Sequence, residues 1–258
     1  SYIPSYTAGL TFFIAVAATN LFHQGNWQRV FSAKNDNVLK TSLTISSIFT
    51  FFIVLWMGYT GLISYSLNSK VIPDLAFFEL ILDKKDTLIV IGILILALSL
   101  TLSTIDTLIN AISSLIIVDG KEINKSISGK KVQEKANLII FVLSILVFIV
   151  ASKGYSILYL FLLADLLCCA AVVTIFYGFF NKKINSKLAN LSIILGLICG
   201  LLFFPSMNFQ SSILVGNLIS KEIFSTLIID NLLFISFVVS ILVPLMMILL
   251  YSLRNSLR

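Results

Sequence analysis

Charge is the scarcest property of this sequence. Asp, Glu, Lys and Arg make up 12% of its 258 residues, against roughly 25% in an ordinary soluble domain. With 58% of the chain hydrophobic, so few charges exclude a water-soluble fold and point to lipid as the solvent. Histidine occurs once, at His23, and cysteine at Cys168, Cys169 and Cys199. All three cysteines fall inside apolar runs without metal or redox spacing, so they read as packing residues. No Gly-x-Ser-x-Gly turn occurs, and neither intramembrane acid has a diagnostic motif around it, so no enzyme is expected. Long linkers, low-complexity tracts and direct repeats are missing from the sequence as well. The opening SYIPSYTAGL lacks the basic-then-apolar order of a cleavable signal peptide. It starts at Ser rather than Met, so the expectation is a fragment of a longer protein.

What the chain does have is apolar runs. A membrane-spanning helix needs about 20 such residues, with a range of roughly 17–25. Seven runs qualify, near 7–31, 39–66, 87–118, 137–152, 156–180, 188–204 and 231–253. The class expected is therefore an all-α polytopic membrane protein in a single transmembrane domain, 1–258. Of the 18 Lys and Arg residues, all but Lys70, Lys84, Lys85, Lys153 and Lys221 lie in 29–40, 119–136, 181–187 and 254–258. Cytoplasmic loops are the basic ones, which puts the N-terminus outside and the C-terminus in the cytoplasm of a multi-pass cell-membrane protein. The net charge of +6 follows from that topology and does not argue for nucleic acid. The opposite loops are acidic, carrying Asp74, Glu79, Asp83, Asp86, Glu222 and Asp230. Two of them are long, and NSKVIPDLAFFELILDKKD reads as a short interfacial helix after Pro73, with PSMNFQSSILVGNLISKEIFSTLIID similar in character.

The third run, LALSLTLSTIDTLINAISSLIIVDG, is also polar. Ser99, Ser103, Asp106, Asn110 and Ser113 recur at spacings that share one helical face, with Thr104, Thr107, Ala111 and Ser114 beside them. An aspartate in hydrocarbon costs roughly 2.5–3.5 kcal/mol on insertion scales, so it normally meets a cavity, an ion or a partner. A polar seam between helices would account for the serines singly. Adjacent Ser103 and Thr104 instead place two hydroxyl oxygens on one turn, which suits a hard cation such as sodium. In the first run, Asn20, His23, Gln24, Asn26 and Gln28 surround Gly25. That mixture predicts an irregular backbone lining a cavity, while Trp27 and Arg29 fit an interface anchor. Asp165 is a second intramembrane acid, expected to line that cavity or to pair with a donor on another helix. The pair Gly196 and Gly200 predicts close helix packing.

Taken together, GNWQRVFSAKN, an outer amphipathic loop, LTLSTIDTLINAISSLIIVDG and a basic cytoplasmic loop resemble the sodium/solute symporter family of proline, sugar and urea-type permeases. The motif elements are Gln28-Arg29 with Ser32-Ala33-Lys34, then Ser103-Thr104, then Asp119. HQGNWQ is similar to the DQSYWQ-like stretch of the urea-type members, with His23 in place of the acid and Asn26 in place of the aromatic. Thr174 stands where many members have proline. The resemblance implies a core of two five-helix inverted repeats. This chain would supply core helices six to ten (about 7–180) and two trailing helices (about 188–253), with the first repeat, the N-terminal half of the transporter, missing. It implies a sodium site formed by Ser103, Thr104 and the Leu100 carbonyl, completed by backbone of the missing half. His23, Gln24, Trp27, Asp106 and Asn110 would face the solute.

The function these readings predict is secondary active transport: sodium-coupled symport of a small organic solute by alternating access, urea-like before amino acid or sugar. Proton coupling through Asp106, Asp165 or His23, and a non-transporting sensor on the same scaffold, remain as alternatives.

Overall fold

The computed structural model describes residues 3–72, 75–82, 87–123, 129–181, 184–207, 211–212 and 231–256. Among these, the only extended pairing is a single antiparallel bridge from Pro205 to Ser212, and the rest of the regular structure is helical. The helices are α1 (Ile3–Phe22), α2 (Gln24–Phe31), α3 (Asp36–Leu67), α4 (Ala76–Leu82), α5 (Thr87–Ile123), α6 (Gly129–Ala151), α7 (Ile157–Phe180), α8 (Ser186–Phe203) and α9 (Leu232–Ser256). Seven of them, all except α2 and α4, are long and apolar enough to cross a membrane. The all-α polytopic expectation holds.

Local chemistry explains the boundaries. Asn35 and Asn185 cap α3 and α8, their side chains accepting from the backbone N–H of Val38 and Lys187 at 2.8 and 3.0 Å. Gly154 takes φ 67° in the turn after α6, a conformation that glycine adopts without a Cβ clash. Two expected boundaries need correction. The first run is not one helix, because α1 stops at Phe22 and α2 restarts at Gln24, with His23 outside both. The fourth begins at Gly129 rather than 137, since a helix continues past the apolar stretch once its polar turns reach water. A short helix does follow Val71, as α4, whereas Asp74, Asp83, Asp86, Glu222, Asp230 and nearly all of the second outer loop lie outside the described residues.

The chain divides into two compact units. The first comprises 1–23 and 157–258, and holds α1, α7, α8 and α9. Its core gathers Ala15, Ala18, Leu162, Leu166, Cys169, Phe204 and Phe237, with Tyr159 packed edge-on to Phe204 at 5.7 Å. The Tyr159 hydroxyl donates to the Pro205 carbonyl at 3.1 Å. Helices α8 and α9 meet at Gly196 and Gly200, where a Cβ would stand 2.6 Å from Pro244 Cγ and 2.9 Å from Ser240 Cβ. There Ser236 Oγ donates to the Gly200 carbonyl at 2.7 Å. Thr174 of α7 shares a buried hydrogen bond of 2.9 Å with Ser192 of α8. The cysteines are free, Cys169 buried and Cys168 and Cys199 half-buried, as packing residues should be.

The second unit, 24–156, holds α2 to α6. Along α3 and α5 the large apolar side chains are exposed, among them Phe49, Phe52, Trp56, Leu98 and Leu102. A face of that size and polarity is untenable in water but ordinary against lipid. Trp56 of α3 packs edge-on against Phe77 of α4 at 5.7 Å.

Candidate functional site

Each of the two units holds one intramembrane aspartate, Asp106 in the second and Asp165 in the first. In the second unit, α2 lies against the cytoplasmic-predicted half of α5. Gln28 Nε2 donates to Ser114 Oγ at 2.7 Å, tying the short helix to the long one. Beside this link is an open cleft of about 350 Å³ lined by Gly25, Gln28, Arg29, Ser32, Asp106, Thr107 and Asn110. Thus Asp106 and Asn110, placed on one face by their spacing of four, do share a cavity wall. The opposite wall comes from the Gln-Arg motif of α2. Gly25 and Gln28 line it as the cavity expected around Gly25 requires, whereas Arg29, Ser32 and Thr107 are lining residues that the sequence does not single out for a site. For Arg29 the signal was the basic content of GNWQRVFS, which reads equally well as a membrane-interface anchor.

The hydroxyl pair sits farther along the same helix. Ser103 and Thr104 are both exposed on α5. Thr104 Oγ1 donates to the Leu100 carbonyl at 2.9 Å, and Thr107 Oγ1 to the Ser103 carbonyl at 2.9 Å. Ser99 Oγ likewise donates to Ile95 O at 2.8 Å. Each donated proton stays on its own helix, so the Thr104 oxygen keeps its lone pairs free to face outward. Leu100 O and Thr104 Oγ1 are neighbouring oxygens on α5, joined by that hydrogen bond. Gln24 is half-buried in α2, and Trp27 is exposed with its ring 6.4 Å from that of Phe31. His23 falls at the helix break, half-buried, its backbone N–H reaching the Asn20 carbonyl at 3.4 Å.

Asp165 belongs to the first unit. It is 6% exposed, and its carboxylate accepts from the Thr19 hydroxyl of α1. The donor expected on another helix is therefore Thr19, one residue before Asn20 in a run otherwise rich in alanine. Among the described residues no group of three or more His, Cys, Asp or Glu side chains gathers for a metal ion.

No protein-family model matches the chain, and no solved structure matches it. Among curated proteins it is similar to the spermidine transporter DUR31 of Candida albicans, 27% identical over 170 residues, 64% of this chain and 32% of that protein. The match thus spans about a third of the relative's length. Similarity to a membrane transporter and seven apolar helices agree on one class: a multi-pass, transporter-like membrane chain.

Proposed function

We propose that this chain is the later part of a sodium/solute symporter, a secondary active transporter that uses a sodium gradient to move a small organic solute by alternating access. The observation that carries the reading is the polar face of α5. On a helix that is otherwise leucine and isoleucine, Ser99, Ser103, Asp106 and Asn110 are aligned, and the Asp106 end of that face opens into the α2 cleft. A polar row of this kind in a bilayer implies a water-filled path or a bound ion. Sodium, as cargo, would be met by Ser103 and Thr104 through their hydroxyls and by Leu100 through its carbonyl. Further oxygens would come from the half of the transporter that precedes this chain, as irregular backbone does in inverted-repeat transporters. Asp106 and Asn110 would face the solute with Gln24, Trp27 and His23. The similarity to a spermidine transporter makes an amine one candidate solute beside urea, amino acids and sugars.

The test is uptake by the full-length protein in proteoliposomes. Ser103→Ala with Thr104→Ala is expected to raise the sodium concentration for half-maximal uptake by about tenfold or more, a loss of roughly 1.4 kcal/mol or more in ion affinity. Unchanged sodium dependence in that variant sinks the assignment. Proton coupling is the second reading, favoured by a carboxyl at Asp165 that is buried between α1 and α7. Uptake that survives replacement of sodium by potassium under a constant proton gradient decides for it.

A further inference from the structure

The cleft between α2 and α5 is balanced in charge, with one cation, Arg29, and one anion, Asp106, on its wall. Ser32 lines the same space, exposed and one residue past the end of α2. It completes Arg29-Val30-Phe31-Ser32, and no other arginine of the sequence stands three residues ahead of a serine or threonine. Basophilic protein kinases select such an arginine by pairing its guanidinium with carboxylates of their substrate groove. Segment 29–40, with its Arg and Lys residues, belongs to the face that the charge bias assigns to the cytoplasm, where such kinases act. We propose that Ser32 is a phosphorylation site, and that its phosphate drives α2 from α5 and opens the cleft. The site depends on membrane orientation and not on the solute or the coupling ion, so it stands apart from the transport reading.

A kinase needs its substrate segment extended. Residues 33–35 are not helical, and α2, at eight residues, is too short to be a stable helix by itself. It is tied to α5 by the Gln28–Ser114 hydrogen bond of 2.7 Å. In the transfer, Ser32 Oγ bonds to the γ-phosphorus of a nucleoside triphosphate. The bond from that phosphorus to its bridging oxygen breaks, the nucleoside diphosphate leaves with the electron pair, and the hydroxyl proton passes to a base of the kinase. Three effects then act in one direction. Unmodified, the Ser32 hydroxyl donates to the Arg29 carbonyl at 2.9 Å, one of the last-turn carbonyls that a helix leaves without an N–H partner; the ester has no such proton. The phosphate brings a charge of about −1.5 to −2 at pH 7, next to the negative end of the α2 dipole. Asp106 lines the same cleft, so the wall turns from neutral to net negative, and one arginine cannot neutralise both anions.

The experiment uses inside-out membrane vesicles holding the full-length protein, with the catalytic domain of a calcium/calmodulin-dependent protein kinase and radiolabelled ATP. A synthetic peptide of residues 25–38 serves as the fully accessible control. Mass spectrometry is expected to find phosphate on Ser32, none at that position in Ser32→Ala, and most of it lost in Arg29→Gln. Opening is read separately on Thr107→Cys, a half-buried position of the cleft. Phosphorylation should raise its rate of reaction with a maleimide by about fivefold or more, the factor for roughly 1 kcal/mol. In the combined Ser32→Ala, Thr107→Cys protein, kinase and ATP should leave that rate unchanged. A peptide that is not a substrate, a peptide that is labelled while the vesicles are not, or Arg29→Gln labelled as fully as the parent overturns the site. Phosphate on Ser32 with no change in the Thr107→Cys rate, or a rate that rises equally in the Ser32→Ala background, overturns the opening.

Discussion

Asp165 and Thr19 show how one side chain can fasten two helices inside a bilayer-spanning unit. The carboxylate is 6% exposed and accepts from the Thr19 hydroxyl across α1 and α7. Removing one partner of a buried hydrogen bond leaves the other with its desolvation penalty, about 1–3 kcal/mol and more for a charged group. Thr19→Val is thus expected to destabilise the protein by at least that much, and Thr19→Ser, which keeps the hydroxyl, by far less. Replacing both partners with apolar groups is close to neutral in such sites. The double variant Thr19→Val, Asp165→Leu should therefore recover most of the loss. Thermal midpoints in detergent check the order; a double variant less stable than Thr19→Val alone would count against the pairing. Thr19 was silent in the sequence because nothing along the chain says which residue of α1 faces position 165.

At the scale of elements, the contact of α8 with α9 depends on the absence of two side chains. A methyl at Gly196 would stand 2.6 Å from Pro244 Cγ and 2.8 Å from the Ser240 carbonyl; one at Gly200 would stand 2.9 Å from Ser240 Cβ and 3.1 Å from Leu166 Cδ1. Neither helix can yield without parting the Ser236–Gly200 hydrogen bond of 2.7 Å. Gly196→Ala is expected to cost about 1–3 kcal/mol, as overpacking does in a well-filled core. Gly92 on α5 has no atom within 4 Å of the added methyl. Gly92→Ala should be neutral or stabilising by up to about 1 kcal/mol, because alanine is the better helix former. Chemical denaturation of the two variants side by side makes the comparison. The glycine pair was legible from its spacing of four. Its partner helix was not, since a proline inside a hydrophobic run gives no sign of lying against a glycine. The break at His23 was legible for the opposite reason: Gly25 and the neighbouring amides are local signals that the backbone answers locally.

At the scale of the molecule, the two units solve different problems. The first, with α1, α7, α8 and α9, buries its small and aromatic residues against one another. The second, 24–156, exposes large apolar side chains along α3 and α5, so lipid or further protein must cover them. The charge distribution predicts a topology that labelling can check. With Lys153→Cys, a membrane-impermeant maleimide should react in intact cells; with Lys34→Cys it should react only after permeabilisation. Cys168, Cys169 and Cys199 are buried or half-buried in apolar helices, so the background is low. The reverse pattern would invert the positive-inside assignment.

By itself the sequence determined that the chain is helical, that it is apolar enough to cross a membrane seven times, and that α5 carries a polar face. Each of these follows from composition and from a period of 3.6 residues, which are properties of one segment at a time. The tertiary structure decided which polar groups meet, Thr19 with Asp165 and Gln28 with Ser114, and which share a cleft, as Arg29 and Asp106 do. Those meetings depend on the rotation and approach of two helices, which are set by the shapes packed between them, and no single segment encodes that.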